Sequence, residues 1–201
     1  MGSHPSRHLD NEVVATLVSE TGFSRKQIQR LHCRFSSLDK DKLGCLKRSD
    51  LEHISELHIN PLGVRIIDAF FPGDRTELSF PDFVHVLAVF RPGQEHGSTD
   101  SRNGSVSDAS SSAVNSREKK LEFVFSMYDV NNDGVISKNE LSKIFQMMVG
   151  VNVTTEQLEY VLELTLEEAA ADDAGDITFE KFKTVMKTSA VEEKLSIRFF
   201  S

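Results

Sequence analysis

The residues best suited to chemistry in this sequence lie together in one short stretch, residues 129–140, which reads DVNNDGVISKNE. Side chains that carry oxygen alternate through its first half, and a glutamate, Glu140, ends it. Ca²⁺ is a hard cation that takes about six to eight oxygen ligands, and a loop with this spacing can supply them. Gly134, at the sixth position, permits the positive φ that turns such a loop sharply. The stretch predicts a calcium site whose ligands are the side chains of Asp129, Asn131, Asp133, Ser137 and Glu140 and the backbone carbonyl of Val135.

Apolar residues recur at helical spacing on both sides of this loop. They are Leu121, Val124, Phe125 and Tyr128 before it, and Leu141, Ile144, Phe145 and Met148 after it. The arrangement predicts a helix, a calcium loop and a second helix, which together form the motif known as the EF-hand.

Two stretches in the N-terminal half keep the frame of this loop but not its ligands. In residues 39–50, Leu43 and Lys47 replace ligands, and Asp50 is one methylene too short for easy bidentate closure. In residues 71–82, Phe71 occupies the place of the first carboxylate. We therefore expect both to be structural loops, paired through their eighth residues, Leu46 and Leu78.

A fourth loop is predicted over residues 170–181, with Ile177 at its eighth position. Ala170 and Ala174 replace ligands there, and Lys181 places a cation where the closing glutamate should be. Without those carboxylates little offsets the dehydration of the ion. The sequence thus predicts one calcium ion, in the third loop.

Composition and charge narrow the classes of function. The chain of 201 residues has a formal net charge of −8, which argues against nucleic acid as a partner and favours metal cations or a basic target segment. It contains neither a membrane-spanning apolar run nor a secretory signal, so we expect an intracellular protein with Cys33 and Cys45 reduced. Its histidines are scattered outside any catalytic motif, which predicts that it is not an enzyme.

The first residues, Met-Gly-Ser-His-Pro-Ser, fit the pattern for N-myristoylation of Gly2. A single myristoyl chain binds membrane only marginally, so a second contact is needed. A membrane partner protein is the expected source of that contact.

Four segments resemble the calcineurin B-homologous proteins: NPLGVRIIDAFF at residues 60–71, FRP at 90–92, MMVGVN at 147–152 and EKLSIRF at 193–199. The resemblance extends from Gly2 to the tail and omits only a serine-rich segment. It implies a myristoylated, calcium-binding subunit of plasma-membrane Na⁺/H⁺ exchangers, bound to a cytoplasmic amphipathic helix below the membrane domain and supporting transport activity and its pH regulation. Some members of that family also inhibit calcineurin. The single intact C-terminal loop is similar to the tescalcin branch, whereas residues 60–63 and 147–151 are more similar to the branch with two sites.

The predicted fold is all-α, with four EF-hands in two pairs of the calmodulin and calcineurin B type, joined by a flexible linker. The expected organisation is an N-terminal myristoylated segment (1–22), an N-lobe (23–90), a Gly/Ser-rich linker (91–116), a C-lobe (117–190) and an apolar tail (191–201). Capping boxes predict helices after Ser24 and Thr154, and Asn60-Pro61 predicts a helix that begins at Pro61. The expected locations are the cytoplasm and, by lipid anchoring, the plasma membrane, with the nucleus as a further option.

The leading hypothesis is a regulatory subunit that buries a target helix in an apolar groove. The groove residues chosen from the sequence are Phe145, Met147, Met148, Phe83 and Leu87; for each of them ordinary core packing is the alternative. The alternative function is a calcineurin B-type phosphatase subunit with calcineurin A as partner. That class normally carries four competent loops, and three are damaged here. A calcium buffer is disfavoured because it would need several intact loops.

Overall fold

The computed structural model describes residues 9–91, 114–150, 153–169 and 176–188. The N-terminal lobe consists of α1 (Asn11–Thr21), α2 (Arg25–Leu38), β1 (Cys45–Lys47), α3 (Arg48–Glu52), α4 (Ser55–His58), α5 (Gly63–Phe70), β2 (Glu77–Ser79) and α6 (Phe80–Val89). The C-terminal lobe consists of α7 (Arg117–Tyr128), β3 (Val135–Ile136), α8 (Lys138–Val149), α9 (Thr155–Glu168), β4 (Ile177–Thr178), α10 (Phe179–Val185) and a 3₁₀ turn, Met186–Thr188. The predicted all-α EF-hand fold is confirmed.

Local sequence sets where the helices begin. The Ser24 hydroxyl accepts a hydrogen bond from the N–H of Gln27, and the Gln27 side chain accepts one from the N–H of Ser24. Thr154 and Gln157 form the same reciprocal pair at the start of α9. Both predicted capping boxes are confirmed. Each box satisfies two of the N–H groups that the start of a helix leaves without a partner.

Each lobe is held together by a short antiparallel sheet between its two loops. Leu46 pairs with Leu78 in the N-lobe, as predicted, and Ile136 pairs with Ile177 in the C-lobe. All four side chains are buried. The eighth loop residue therefore joins the two hands of a pair and lies in the core.

The N-lobe core includes a helix that the sequence analysis did not predict. Helix α1 begins after Asp10, whose carboxylate accepts a hydrogen bond from the N–H of Glu12, and it buries Val14 and Leu17 in the core. It ends at Gly22, where φ is +66°. Its two buried aliphatic residues lie within the segment 1–22 that was assigned to the myristoylated terminus.

The helix predicted to begin at Pro61 begins instead at Gly63, and the short helix α4 precedes it. The Asn60 side chain accepts a hydrogen bond from the N–H of Leu62, and the Asn60 carbonyl accepts one from the N–H of Gly63. At Gly63 the backbone lies against α4, so a Cβ atom there would collide with the carbonyl oxygen of Leu57. The contact between α4 and α5 thus fixes the turn.

The two lobes touch directly. The rings of Phe90, just after α6, and Phe123 on α7 meet edge to face with their centroids 4.7 Å apart, and α5 packs on α7. Residues 92–113, most of the predicted linker, lie outside the described residues, as do residues 1–8 and 189–201. Among the described helices, none combines the length and apolar character needed to cross a membrane.

Candidate calcium site

The predicted calcium loop lies between α7 and α8, and β3 runs through it. Asp129 caps the C-terminus of α7 and Ser137 caps the N-terminus of α8, so both loop ends are fixed by helices. Asn132 and Gly134 adopt left-handed φ values of +58° and +88°, which turn the loop. Asp129 and Glu140 are each 5% exposed. Asn131 and Asp133 are exposed, and Val135 and Ser137 are half-buried.

Glu140 reaches back across the loop to its beginning. Its Oε1 accepts hydrogen bonds from the N–H of Val130 at 2.8 Å and of Asn131 at 3.1 Å. Its Oε2 accepts from the N–H of Ser137 at 3.0 Å and from the Ser137 hydroxyl at 2.7 Å. Burial by itself raises the pKa of Glu140, but these hydrogen bonds outweigh it and hold the pKa below its ordinary value. Glu140 is therefore ionised at neutral pH.

The side-chain oxygens in the first half of the loop accept hydrogen bonds from loop amides. Asp129 accepts from the N–H of Asp133 at 3.2 Å and from that of Gly134 at 2.9 Å. Asn131 Oδ1 accepts from the N–H of Asp133 at 2.9 Å, and Asp133 Oδ1 accepts from the N–H of Val135 at 3.0 Å. These bonds tie the backbone of the fifth loop position to the side chains of the first and third positions.

The donor set suits Ca²⁺. It consists only of oxygen atoms, and two of its carboxylates are withdrawn from water, where they interact more strongly with a cation. Within the described residues, no three His, Cys, Asp or Glu side chains stand close enough together to hold a metal ion. Oε1 of Glu140, one of the two oxygens predicted to close the calcium site, is bonded here to the amides of Val130 and Asn131.

The first N-lobe loop turns in the same way, although Leu43 and Lys47 replace two of its ligands. Lys42 and Gly44 have φ values of +57° and +81°, matching Asn132 and Gly134. The Asp39 carboxylate accepts from the N–H of Leu43 at 2.9 Å and of Gly44 at 2.7 Å, as Asp129 does in the third loop. The first loop carboxylate thus stabilises the turn even where the other calcium ligands are replaced.

In each N-lobe loop a basic side chain pairs with one of the remaining carboxylates. Lys47 lies 3.9 Å from Asp41, and Arg75 lies 3.4 Å from Asp82. These ion pairs are exposed and contribute little stability, but they place positive charge beside the carboxylates that a calcium ion would need. The predicted loss of ligands at residues 170–175 lies outside the described residues.

The predicted groove residues divide between the two lobes. Phe145 lines an apolar cavity of about 150 Å³ in the C-lobe, together with Tyr128, Leu141 and Phe182. Met147 and Met148 lie outside that cavity on the exposed end of α8. In the N-lobe, Phe83 is buried and Leu87 packs against the core. Among the described residues, Phe145 therefore belongs to a C-lobe cavity, whereas Phe83 and Leu87 belong to the N-lobe core.

Sequence reasoning missed Arg65. This residue on α5 donates hydrogen bonds to the carbonyl oxygens of Ser126, Met127 and Asp129, at the entrance to the calcium loop. The only local signal was Asp68, one helical turn away, with which Arg65 pairs at 2.6 Å. A contact between residues more than sixty positions apart leaves no trace in helical spacing.

These features define an EF-hand calcium-binding protein. A model of the EF-hand domain pair matches residues 118–187. The calcineurin B protein of Candida glabrata is 31% identical over 199 residues, covering 99% of each chain. The calcineurin B protein of Naegleria gruberi is 33% identical over 198 residues, covering 98% of this chain and 99% of that protein. The chain therefore belongs to the calcineurin B-like family of EF-hand proteins.

Proposed function

We propose that this protein is the calcium-binding, non-catalytic regulatory subunit of a calcineurin-type phosphatase and binds a helix of the catalytic subunit. The observation that carries the proposal is the similarity to calcineurin B along almost the whole chain, including both lobes. Similarity confined to the C-lobe hands would support calcium binding alone.

We assign calcium to one loop, residues 129–140, with Asp129, Asn131, Asp133, Val135, Ser137 and Glu140 as its ligands. The burial of Asp129 and Glu140 supports this assignment, as do the left-handed turn residues between them. In the N-lobe loops, Phe71 and Leu43 supply no oxygen ligand from their side chains. Lys47 pairs with Asp41 and Arg75 with Asp82, which places a cation beside one remaining carboxylate of each loop.

The docking surface for the helix is assigned to the C-lobe. Large apolar side chains are exposed on the neighbouring helices α8 and α9; they are Met147, Met148, Val149, Tyr160, Val161 and Leu164. Unbranched methionine adapts to the shape of a partner, and such surfaces commonly accept amphipathic helices. The apolar cavity next to Phe145 offers a pocket for an anchoring side chain.

A second candidate partner is the cytoplasmic juxtamembrane helix of a Na⁺/H⁺ exchanger. It is favoured by the loss of ligands in three of the four loops and by the segments of residues 60–71 and 147–152 that resemble the exchanger-binding proteins. The similarity to calcineurin B supports the phosphatase better.

Myristoylation of Gly2, and with it peripheral attachment to the plasma membrane of an otherwise cytoplasmic protein, remains part of the proposal. It rests on the sequence pattern at residues 1–6, which lie outside the described residues. Mass spectrometry of the protein from eukaryotic cells tests it, and an unmodified N-terminus would contradict it.

A pull-down with two helical peptides tests the partner. One peptide carries the helix of calcineurin A that binds calcineurin B, and the other carries an exchanger juxtamembrane helix. We expect the full chain, with calcium, to retain the first in preference and Met148→Asp to weaken that binding, because a carboxylate would be buried against the apolar helix. Val64→Asp is the matched control, since Val64 is similarly exposed but lies on the N-lobe. Preference for the exchanger peptide would favour the second candidate.

A further inference from the structure

The side chain of Arg65 crosses from the N-lobe to the last turn of α7. Its Nε donates to the carbonyl oxygen of Met127 at 3.0 Å, and its Nη2 donates to those of Ser126 at 3.0 Å and Asp129 at 3.2 Å. The side chain is 11% exposed. The last carbonyls of a helix have no partner within the helix and carry the negative end of its dipole. Arg65 therefore caps α7 from the other lobe.

The capped helix end is also the first position of the calcium loop. The N–H of Asp129 donates to the carbonyl of Phe125, and its carbonyl accepts from Arg65. The backbone of Asp129, whose side chain is the first predicted calcium ligand, is thus held by a hydrogen bond at its N–H and another at its carbonyl. The Asp129 carboxylate is oriented further by the amides of Asp133 and Gly134.

On its N-lobe side Arg65 is linked through Asp68 and Arg48 to the first residue of the second loop. Asp68 accepts hydrogen bonds from Arg65 at 2.6 Å and also from Arg48. The guanidinium of Arg48 lies over the ring of Phe71, 5.7 Å from its centroid. Phe71 occupies the first position of that loop and is buried. A chain of contacts therefore joins the first residue of one loop to the first residue of the other.

We propose that Arg65 is a positioning residue that couples calcium binding in the third loop to the docking of the N-lobe. Calcium must draw the Glu140 carboxylate away from the amides of Val130 and Asn131, which changes the conformation of the loop beside Asp129. A cavity of about 270 Å³, bordered by Arg65, Val130 and Asn132, leaves room for that movement. Arg65 is bonded to three carbonyls at the end of α7, so a conformational change of the calcium loop is transmitted to α5. In turn, packing of the N-lobe against α7 favours calcium binding. Such coupling is reciprocal by thermodynamic necessity.

The proposal depends on the fork of the guanidinium as well as on its charge. Lysine keeps the positive charge but cannot donate in the same plane to the carbonyls and to Asp68. Arg65→Lys therefore removes the hydrogen-bonding geometry of the guanidinium while keeping its positive charge near the calcium site. The inference rests on the calcium site proposed above.

Calorimetric calcium titration and hydrogen exchange of the full chain test the coupling. In the unmodified protein, calcium should slow amide exchange in α5 as well as in residues 126–134. In Arg65→Lys, calcium should bind about fivefold more weakly or worse, the lower end of typical allosteric coupling, and α5 should no longer respond. Arg25→Gln, which removes an exposed hydrogen bond to Asn11 in the same lobe and away from any loop, should bind calcium as the unmodified protein does.

Three outcomes would overturn the inference. An unmodified chain that binds calcium without any change of exchange in α5 refutes the coupling and leaves the calcium site intact, and this test needs no variant to fold. An Arg65→Lys protein with unchanged affinity and an unchanged α5 response refutes the role of the fork. A chain that binds no calcium refutes the proposed site and the coupling together.

Discussion

At the scale of the residue, the two carboxylate oxygens of Glu140 serve the loop's own hydrogen bonds and are also the predicted ligands of calcium. Its carboxylate accepts hydrogen bonds from Val130, Asn131 and Ser137, and the predicted calcium ion needs the same two oxygens. Part of the affinity for calcium is therefore offset by the loss of the bonds to Val130 and Asn131. The affinity of the loop is set by this exchange as well as by the number of its carboxylates.

Replacing Glu140 with glutamine tests its role as the ligand that closes the calcium site. The amide has one oxygen and no charge, so it cannot close the calcium cage with two oxygens. We expect calcium affinity to fall by more than about 100-fold. Removing a residue that merely supports a metal ligand lowers affinity by up to about 100-fold, and Glu140 is predicted to be a ligand itself. Calorimetry would measure it, with Glu122→Gln on the exposed face of α7 as the control. If Glu140→Gln still bound a calcium ion with the affinity of the unmodified protein, another loop would hold it, and the assignment of one site to residues 129–140 would be wrong.

The first carboxylate of a damaged loop makes a related prediction. Asp39 is 9% exposed and holds the N–H groups of Leu43 and Gly44. Asp39→Ala would leave these donors unpaired, and we expect it to lower the free energy of unfolding by about 1–3 kcal/mol. Asp41→Ala should change it by less than about 0.5 kcal/mol, because Asp41 is 69% exposed. Urea unfolding measures both, and equal effects would show that Asp39 does not stabilise the turn.

At the scale of the element, the join between α4 and α5 depends on the missing side chain of Gly63. A Cβ atom at Gly63 would collide with the carbonyl oxygen of Leu57. Helix α5, which begins at Gly63, also carries Arg65, whose side chain reaches the other lobe. A residue that is required for close backbone approach therefore determines the position of the helix that contacts the calcium loop. Proline at position 61 indicated a helix start but did not reveal this packing.

We expect Gly63→Ala to destabilise the N-lobe by about 1–3 kcal/mol or more, because the obstacle is backbone and cannot rotate away. In an ordinary helix the same change would be stabilising. Val64→Ala, one residue further along the same helix at a 60% exposed position, is the control and should have little effect. Chemical denaturation followed by circular dichroism distinguishes them; a stabilised Gly63→Ala variant would refute the close contact.

At the scale of the whole molecule, the sequence was informative where one residue's role follows from its neighbours along the chain. Ligand spacing located the loop at 129–140, apolar periodicity located its helices, and the pairing of Leu46 with Leu78 followed from loop register. It was uninformative where the partner is distant. Arg65 resembles any helix-surface arginine, and the burial of Phe90 against Phe123 depends on how two lobes meet. Contacts between distant parts of the chain leave no repeating pattern in the sequence from which they could be predicted.

The contact between Phe90 and Phe123 provides a direct measure of how strongly the lobes are joined. Edge-to-face aromatic pairs contribute about 0.5–1.5 kcal/mol beyond their buried area. In a double-mutant cycle with Phe90→Leu and Phe123→Leu, we expect an interaction energy in that range from urea unfolding of the calcium-loaded chain. Phe90→Leu combined with Phe179→Leu should be additive, since Phe179 instead contacts Phe125 within the C-lobe. Additivity in both cycles would mean that the rings of the two lobes do not stabilise one another, and the lobes would then be joined through α5 and Arg65.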